Sequence, residues 1–184
     1  MTRLRHNDVI HEGAEQKLSE TTNGAAAGAD GSAWPPLAPG WNYSQPGNDK
    51  HQFTSQRTGL GELDLGDVPD RVTVEIDAKG SAVTVRVTSA KYTIVVIRNV
   101  GPEVHLDGKF NRVDVRLASR MPHCSITASR APTKLRLGSG TWLLGDARDR
   151  SDRFQIELFG EKTTTIHGGN PAHITASGTP ALHL

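Results

Sequence analysis

Apolar and polar residues alternate in short segments through most of this 184-residue chain from residue 70 onward. Val72, Val74 and Ile76 form one such segment, and others run over residues 83–87, 104–106, 113–117, 135–137 and 154–158. A period of two sends successive side chains to opposite faces, so each segment predicts a β-strand with one buried face. The apolar centres lie about ten residues apart, and no segment shows the 3.6-residue period of an amphipathic helix. The pattern therefore predicts an all-β fold.

A near-repeat favours one all-β architecture over another. Residues Ile126–Ser129 and Ile174–Ser177 share the sequence ITAS and begin 48 positions apart, and each is followed three residues later by a proline, Pro132 or Pro180. A recurring strand-and-turn unit is typical of stacked architectures, in which Gly, Ser, Asn and Pro form corners between coils. We therefore predict a β-solenoid (β-helix) of short strands. An antiparallel β-sandwich is the alternative, because Asp107-Gly108 fits a hairpin turn.

The strand rhythm of residues 70–184 resembles that of the bactofilin-type β-helix. The resemblance implies a small cytoplasmic solenoid flanked by loose tails. It transfers no functional residue to this chain.

The N-terminal third has a different composition. Residues 1–68 predict a mostly disordered leader, with low-complexity sequence between Thr21 and Ser32, and residues 69–184 predict the all-β domain. A segment with the sequence WPPLAPGW, from Trp34 to Trp41, has two interpretations. It is either a peptide ligand for an aromatic-lined groove or a strap that lays both tryptophans on the chain's own domain. We favour the strap, because exposed tryptophans lower solubility, and the leader could then cap an open end of the solenoid.

The charges divide unequally along the chain. Residues 1–69 carry five basic and nine acidic side chains, whereas residues 70–184 carry sixteen basic and eleven acidic ones. Arg86, Arg116 and Arg136 occupy outward positions of predicted strands, so stacked coils could align them into a basic face for an acidic partner. Together with Trp34 and Trp41, they are the predicted binding residues. Nucleic acid is a weaker candidate partner because the basic part is poor in aromatic residues for base stacking.

Motifs for catalysis or metal binding are missing from the sequence. Cys124 is the only cysteine, which rules out an internal disulfide, and its alternation with Ile126 predicts a buried core position. No H-x-x-x-H, C-x-x-C, G-x-S-x-G or P-loop element occurs. Three aspartates in the loop 146–153 alternate with arginines, and charge pairing in solvent explains them better than glycoside cleavage does. We expect no enzymatic activity, no cofactor and no metal.

These observations lead to a functional hypothesis. No apolar run approaches the roughly 18 residues that would span a bilayer, and the first residues do not resemble a secretory signal, so we expect a cytoplasmic protein. We predict a non-enzymatic structural or scaffold protein that self-associates or recruits a protein partner. The alternative is a monomeric binding module that uses the basic face or the WPPLAPGW segment. A polysaccharide-active enzyme is the third hypothesis.

Overall fold

The computed structural model describes residues 34–35, 37, 39–56, 59–145, 153–160, 162–168, 174–176 and 182–183. These residues form thirteen β-strands and no helix, so the described chain contains no helix that could cross a membrane. The strands are β1 Trp41–Gly47, β2 Lys50–Ser55, β3 Leu60–Asp64, β4 Thr73–Asp77, β5 Ala82–Val100, β6 Glu103–Leu117, β7 Cys124–Ala128, β8 Lys134–Leu137, β9 Gly140–Leu144, β10 Ile156–Leu158, β11 Thr164–Gly168, β12 Ile174–Ala176 and β13 Leu182–His183.

The strands stack in two parallel ladders. Ladder A contains β1, β2, β4, the second half of β5, the second half of β6, β8, β10 and β12. Ladder B contains β3, the first halves of β5 and β6, β7, β9, β11 and β13. The chain alternates between the ladders, and every strand pair is parallel except β1 with β2. This is a β-solenoid of about five coils, as predicted. The sandwich alternative is wrong, because its neighbouring strands would pair antiparallel.

Two strands per coil explain the ten-residue rhythm, but the ITAS near-repeat does not mark equivalent positions. Residues stacked on neighbouring rungs differ by 18 positions for Val95 and Val113 and by 24 for Trp142 and Ile166. The 48-residue offset leads from β7 to β12, which is five strands further along the chain. Because successive strands alternate between the two ladders, an odd number of strands ends in the other ladder. Ile126 therefore lies in ladder B, whereas Ile174 lies in ladder A. The solenoid prediction is confirmed, although the repeat that favoured it has no structural counterpart.

The core consists of inward columns of Val, Ile and Leu. One column of ladder A contains Val74, Val95, Val113 and Leu135, all fully buried. Each such side chain contributes about 1.5–3 kcal/mol relative to exposure. Cys124 is also fully buried, as its alternation with Ile126 predicted, and burial raises the pKa of its thiol to about 12. The alternation thus identified the buried face correctly.

Asp107-Gly108 forms a corner and not the hairpin turn that the sandwich alternative required. The residues on both sides of it belong to β6, and both halves of β6 pair in parallel with β5. Gly108 has a φ of +123°, and a Cβ there would lie 1.8 Å from the carbonyl oxygen of Val87. Glycine is needed at this corner because the backbone of the neighbouring coil, at Val87, passes too close for a side chain.

The all-β unit begins earlier than the predicted boundary at residue 69. Strands β1, β2 and β3 belong to the ladders, and Leu63, Leu65 and Val68 are buried in the core. The low hydropathy of this region concealed strands whose apolar residues are few. Residues 1–33 of the predicted leader lie outside the described residues.

Candidate functional site

The outward face of ladder A carries a network of ion pairs. Its central column contains Asp114, Arg136 and Glu157 on consecutive rungs. Parallel strands lie about 4.8 Å apart, so opposite charges on neighbouring rungs can pair directly. Arg136 donates from Nη1 to Asp114 Oδ2 at 3.0 Å and from Nε to Glu157 Oε1 at 2.9 Å. Arg112 Nε lies 2.8 Å from Asp114 Oδ1, and Lys134 Nζ lies 3.1 Å from Glu157 Oε2. Three cations therefore share two carboxylates.

A second group of charges surrounds Glu75, two rungs away from Asp114 in the same column. Lys50 Nζ lies 2.8 Å from Glu75 Oε1, Gln52 donates to Oε2 at 2.8 Å, and Arg98 also donates to Oε2. Burial opposes ionisation of Glu75, but these donors outweigh it and lower the pKa of the carboxyl group. The hydrogen bond from Lys134 likewise lowers the pKa of Glu157. The cations beside Glu75 and Glu157 therefore favour the charged form of these two carboxyl groups.

The predicted basic face of Arg86, Arg116 and Arg136 does not form. Arg86 lies in ladder B, where its Nε is 3.1 Å from Asp107 Oδ2 on the next rung. Arg136 lies in ladder A and is enclosed by two carboxylates. The prediction was wrong for two reasons. The coils place acidic residues directly beside Arg86 and Arg136, and these two arginines lie in different ladders.

Arg116 and Arg136 nevertheless meet at one aromatic ring. The ring of Phe159 has the guanidinium carbon of Arg136 at 4.8 Å from its centroid and that of Arg116 at 5.1 Å. Both distances are in the range of cation–π contacts. Arg116 has no carboxylate partner in the part of the chain that the structure describes, whereas Arg136 has two. Of the five predicted binding residues, these two share a site.

A hollow of about 270 Å³ lies beside this ring, and we call it the Arg116–Phe159 hollow. Its lining residues are Arg116, Leu117, Gly138, Ser139, Phe159 and Gly160. Arg116, Gly138 and Phe159 occupy successive rungs, because Gly138 donates its amide to Val115 and Phe159 donates its amide to Leu137. Gly138 has no side chain and is buried, because the side chain of Arg116 extends across this rung to the Phe159 ring. The hollow lies beside this contact.

The two predicted tryptophans are buried in the structure. Trp34 is 3% exposed and contacts the rings of His51 and Phe53 edge-on at centroid distances of 5.1 and 5.6 Å. Trp41 is 8% exposed, and its Nε1 donates to the carbonyl oxygen of Glu62 at 2.9 Å. Both pack on the chain's own domain, as the strap interpretation expects, so neither indole is available as a peptide ligand in this conformation.

Polar contacts also occur on the outward face of ladder B. His105 Nδ1 lies 2.8 Å from Thr127 Oγ1 on the outward face of ladder B. No group of three or more His, Cys, Asp or Glu side chains suited to a metal ion occurs among the described residues. The aspartates at 146, 149 and 152 lie outside them.

The sequence did not reveal the acidic partners or the hollow. Phe159 directly follows the apolar alternation of residues 154–158, and Gly138 directly follows that of residues 135–137, so neither belongs to a predicted strand. The signal that could have brought these residues together is the number of residues per coil. Residues 116, 138 and 159 are separated by 22 and 21 positions, which matches the sequence distance between stacked residues on neighbouring rungs. A register alignment at about 21 residues would have placed them together.

Comparisons with known proteins give no match: no family model, no curated protein and no solved structure is similar to this chain.

Proposed function

We propose that this chain is a non-enzymatic scaffold protein whose solenoid associates with a second copy of itself through the end formed by β12 and β13. The observation that carries this proposal is the difference between the two ends of the solenoid. One end is covered by two tryptophan side chains and by an antiparallel strand that carries a bulge and a proline. At the other end, the last described strands have no such cover among the described residues.

The covered end is built from β1, Trp34 and Trp41. Strand β1 pairs antiparallel with β2 and so lies over the first parallel rung of ladder A. Trp41 lies over β3, the first rung of ladder B, and its hydrogen bond to Glu62 satisfies a carbonyl at that edge. A Cβ on Gly61 would lie 3.1 Å from the indole of Trp41, so glycine allows the close approach. This cover should prevent a second molecule from adding at this end.

The opposite end lacks such a cover in the described part of the chain. Strand β12 pairs only with β10, and β13 pairs only with β11. An unpaired strand edge is a template for pairing with another chain. Among the described strands, β1 also has an unpaired outer edge, but this edge is interrupted by a bulge between Ser44 and Gly47 and by Pro46, which has no amide proton to donate. Because β12 and β13 lack such an interruption in the pairing that the structure describes, the expected product is a closed two-fold dimer rather than a growing filament.

Sedimentation velocity of the full chain over a concentration series tests the proposal. We expect a monomer–dimer equilibrium without larger species. Thr175→Lys places a charge on the terminal strand β12 and should shift the equilibrium towards monomer, since lysine at a strand edge opposes edge pairing. Thr84→Lys, in the middle of ladder B, is the matched control and should leave the equilibrium unchanged.

Two results would contradict the proposal. A wild-type chain that stays monomeric at every concentration would exclude self-association as its function. Equal loss of dimer in both lysine variants, with circular dichroism showing intact β structure, would exclude the β12–β13 end as the interface.

A further inference from the structure

We propose that His51 makes the covered end of the solenoid sensitive to pH: as the pH falls below about 6.5, protonation of this buried histidine favours the release of Trp34 from the domain. The inference rests on the position of His51 in its coil, on the rings that enclose it and on the charges around it. It concerns a single chain and does not depend on self-association.

His51 occupies a position that the rest of its column gives to apolar residues. It pairs in register with Val74, and the column continues through Val95, Val113 and Leu135. Like these residues, His51 is fully buried. The first parallel rung of ladder A therefore carries, at an inward position, a side chain that can take up a proton near neutral pH.

Three aromatic rings surround the imidazole of His51. Trp34 contacts it edge-on at a centroid distance of 5.1 Å, and Tyr43 stacks on it at 6.1 Å. Phe53 contacts the rings of both Trp34 and Tyr43, at 5.6 and 5.1 Å. The Tyr43 hydroxyl oxygen lies 2.9 Å from His51 Nδ1. Because Trp34 precedes β1 and belongs to no strand, its release would bring water to the imidazole while the ladders stay intact.

The charged side chains close to His51 in the sequence lie on the outward face or are exposed to solvent. Lys50 pairs with Glu75 on the outward face of ladder A, and Asp49, in the turn between β1 and β2, is exposed. The elements that pack against the imidazole contribute uncharged side chains: Trp34 from the segment before β1, Tyr43 from β1 and Val74 from β4. Burial raises the pKa of the Tyr43 hydroxyl, so this group stays neutral in mild acid.

These surroundings give the direction of the pH effect. Removing an imidazolium from water costs free energy, so the closed form favours neutral His51. In the open form the imidazole is in water, where the ordinary pKa of histidine is about 6.5. Opening therefore takes up a proton, and well below pH 6.5 the ratio of open to closed chains should rise about tenfold for each pH unit. Above that pH the ratio should be constant.

Hydrogen exchange of the Trp34 indole, measured by NMR on the full chain, tests the proposal. The Nε1–H signal of Trp34 is the one that is missing from Trp34→Phe. We expect the protection of this indole, relative to a free indole at the same pH, to fall about tenfold between pH 7.5 and pH 5.5. The indole of Trp142, which is fully buried in ladder B and donates to the Gly138 carbonyl oxygen at 2.9 Å, should keep its protection.

Variants at His51 separate the titration of this residue from other effects of acid. His51→Gln keeps a polar group beside Tyr43 but takes up no proton, and His51→Leu introduces an apolar side chain like those in the rest of the column. In both, the protection of Trp34 should be the same at pH 7.5 and pH 5.5, whatever its level. His105→Gln is the matched control and should retain the wild-type change, because His105 contacts Thr127 on the outward face of ladder B, where it is only half-buried.

The proposal fails if the wild-type protection of Trp34 is the same at both pH values. It also fails if a His51 variant that circular dichroism shows to be folded retains the wild-type change, or if His105→Gln loses this change as the His51 variants do.

Discussion

At the scale of single residues, Asp114 shows how the outward face of ladder A is organised. It is only 7% exposed, and Arg112 and Arg136 both donate hydrogen bonds to its carboxylate. A buried charge is tolerated only where it is paired and hydrogen-bonded. Asp114 therefore joins two strands that would otherwise contact each other only through backbone and core.

Asp114→Asn should destabilise the fold by about 1–3 kcal/mol, because two arginines lose a charged acceptor. Urea unfolding followed by circular dichroism measures the change. Asp107→Asn is the control. Asp107 forms a single, more exposed pair with Arg86, so its loss should cost less than about 1 kcal/mol. Equal costs would show that the network around Asp114 adds nothing to an isolated pair.

Two glycines with similar backbone angles allow the corner clash to be measured separately from backbone strain. Gly108 has a φ of +123° and Gly59 a φ of +133°, but a Cβ on Gly59 would meet nothing within 4 Å. Gly59→Ala should cost only the backbone strain, about 1–3 kcal/mol. Gly108→Ala should cost clearly more, because its Cβ would overlap the Val87 carbonyl oxygen. Thermal unfolding of both variants gives the comparison, and similar Tm losses would contradict it.

At the scale of strands, the ion pairs link rungs that the chain visits one coil apart. Glu75 on β4 contacts Lys50 on β2 and Arg98 on β5, and Arg136 on β8 joins β6 to β10. Because Glu75 and Arg136 each connect three strands, the network resists the sliding of one coil over the next. The register of the ladders is thus held by the polar face as well as by the core.

These lowered carboxylate pKa values predict a loss of stability in acid. The ordinary pKa of glutamate is 4.5, and those of folded Glu75 and Glu157 lie below it. As the pH falls below 4.5, the unfolded chain takes up protons before the folded chain does, so the free energy of unfolding decreases; above that range this contribution is fully present. Urea unfolding between neutral pH and pH 3 measures this dependence.

Glu75→Gln should make the acid dependence shallower, because one of the shifted groups is gone. Glu103→Gln is the control, since Glu103 is exposed and forms no ion pair with other described residues. The interpretation is wrong if both variants retain the wild-type slope.

At the scale of the whole molecule, the covered end determines how the solenoid can assemble. Trp34 closes the core over His51 and Phe53, and both of those residues are themselves buried. Without such a cover, the first coil would expose apolar side chains and unpaired strand groups, which favour association with another chain.

Trp34→Ala should lower the free energy of unfolding by about 3–5 kcal/mol, as expected for a buried tryptophan. It should also open the covered end, so that the closed dimers can join into longer species. Urea unfolding and sedimentation velocity measure the two effects. Tyr92→Ala, at a residue that is 56% exposed, is the control and should change stability by no more than about 0.5 kcal/mol. A destabilised Trp34→Ala chain that forms no species beyond the dimer would contradict the role of this cover.

The sequence by itself determined where most strands after residue 70 lie and which of their faces is buried, but it did not indicate β1, β2 and β3. Alternating Val, Ile and Leu residues identified the inward columns, because a side-chain period of two is a local property of any strand. It also indicated that the two tryptophans belong on the domain, since large apolar rings are costly in water.

Only the tertiary structure decided which outward residues meet. The coils advance by 17 to 24 residues rather than by a constant number, so the neighbour above or below a given side chain depends on the length of every corner. Arg86 therefore pairs with Asp107, Arg136 pairs with Asp114 and Glu157, and Arg116 reaches across Gly138 to the ring of Phe159. Polar contacts depend on atomic positions across coils, and a chain-local pattern does not contain them.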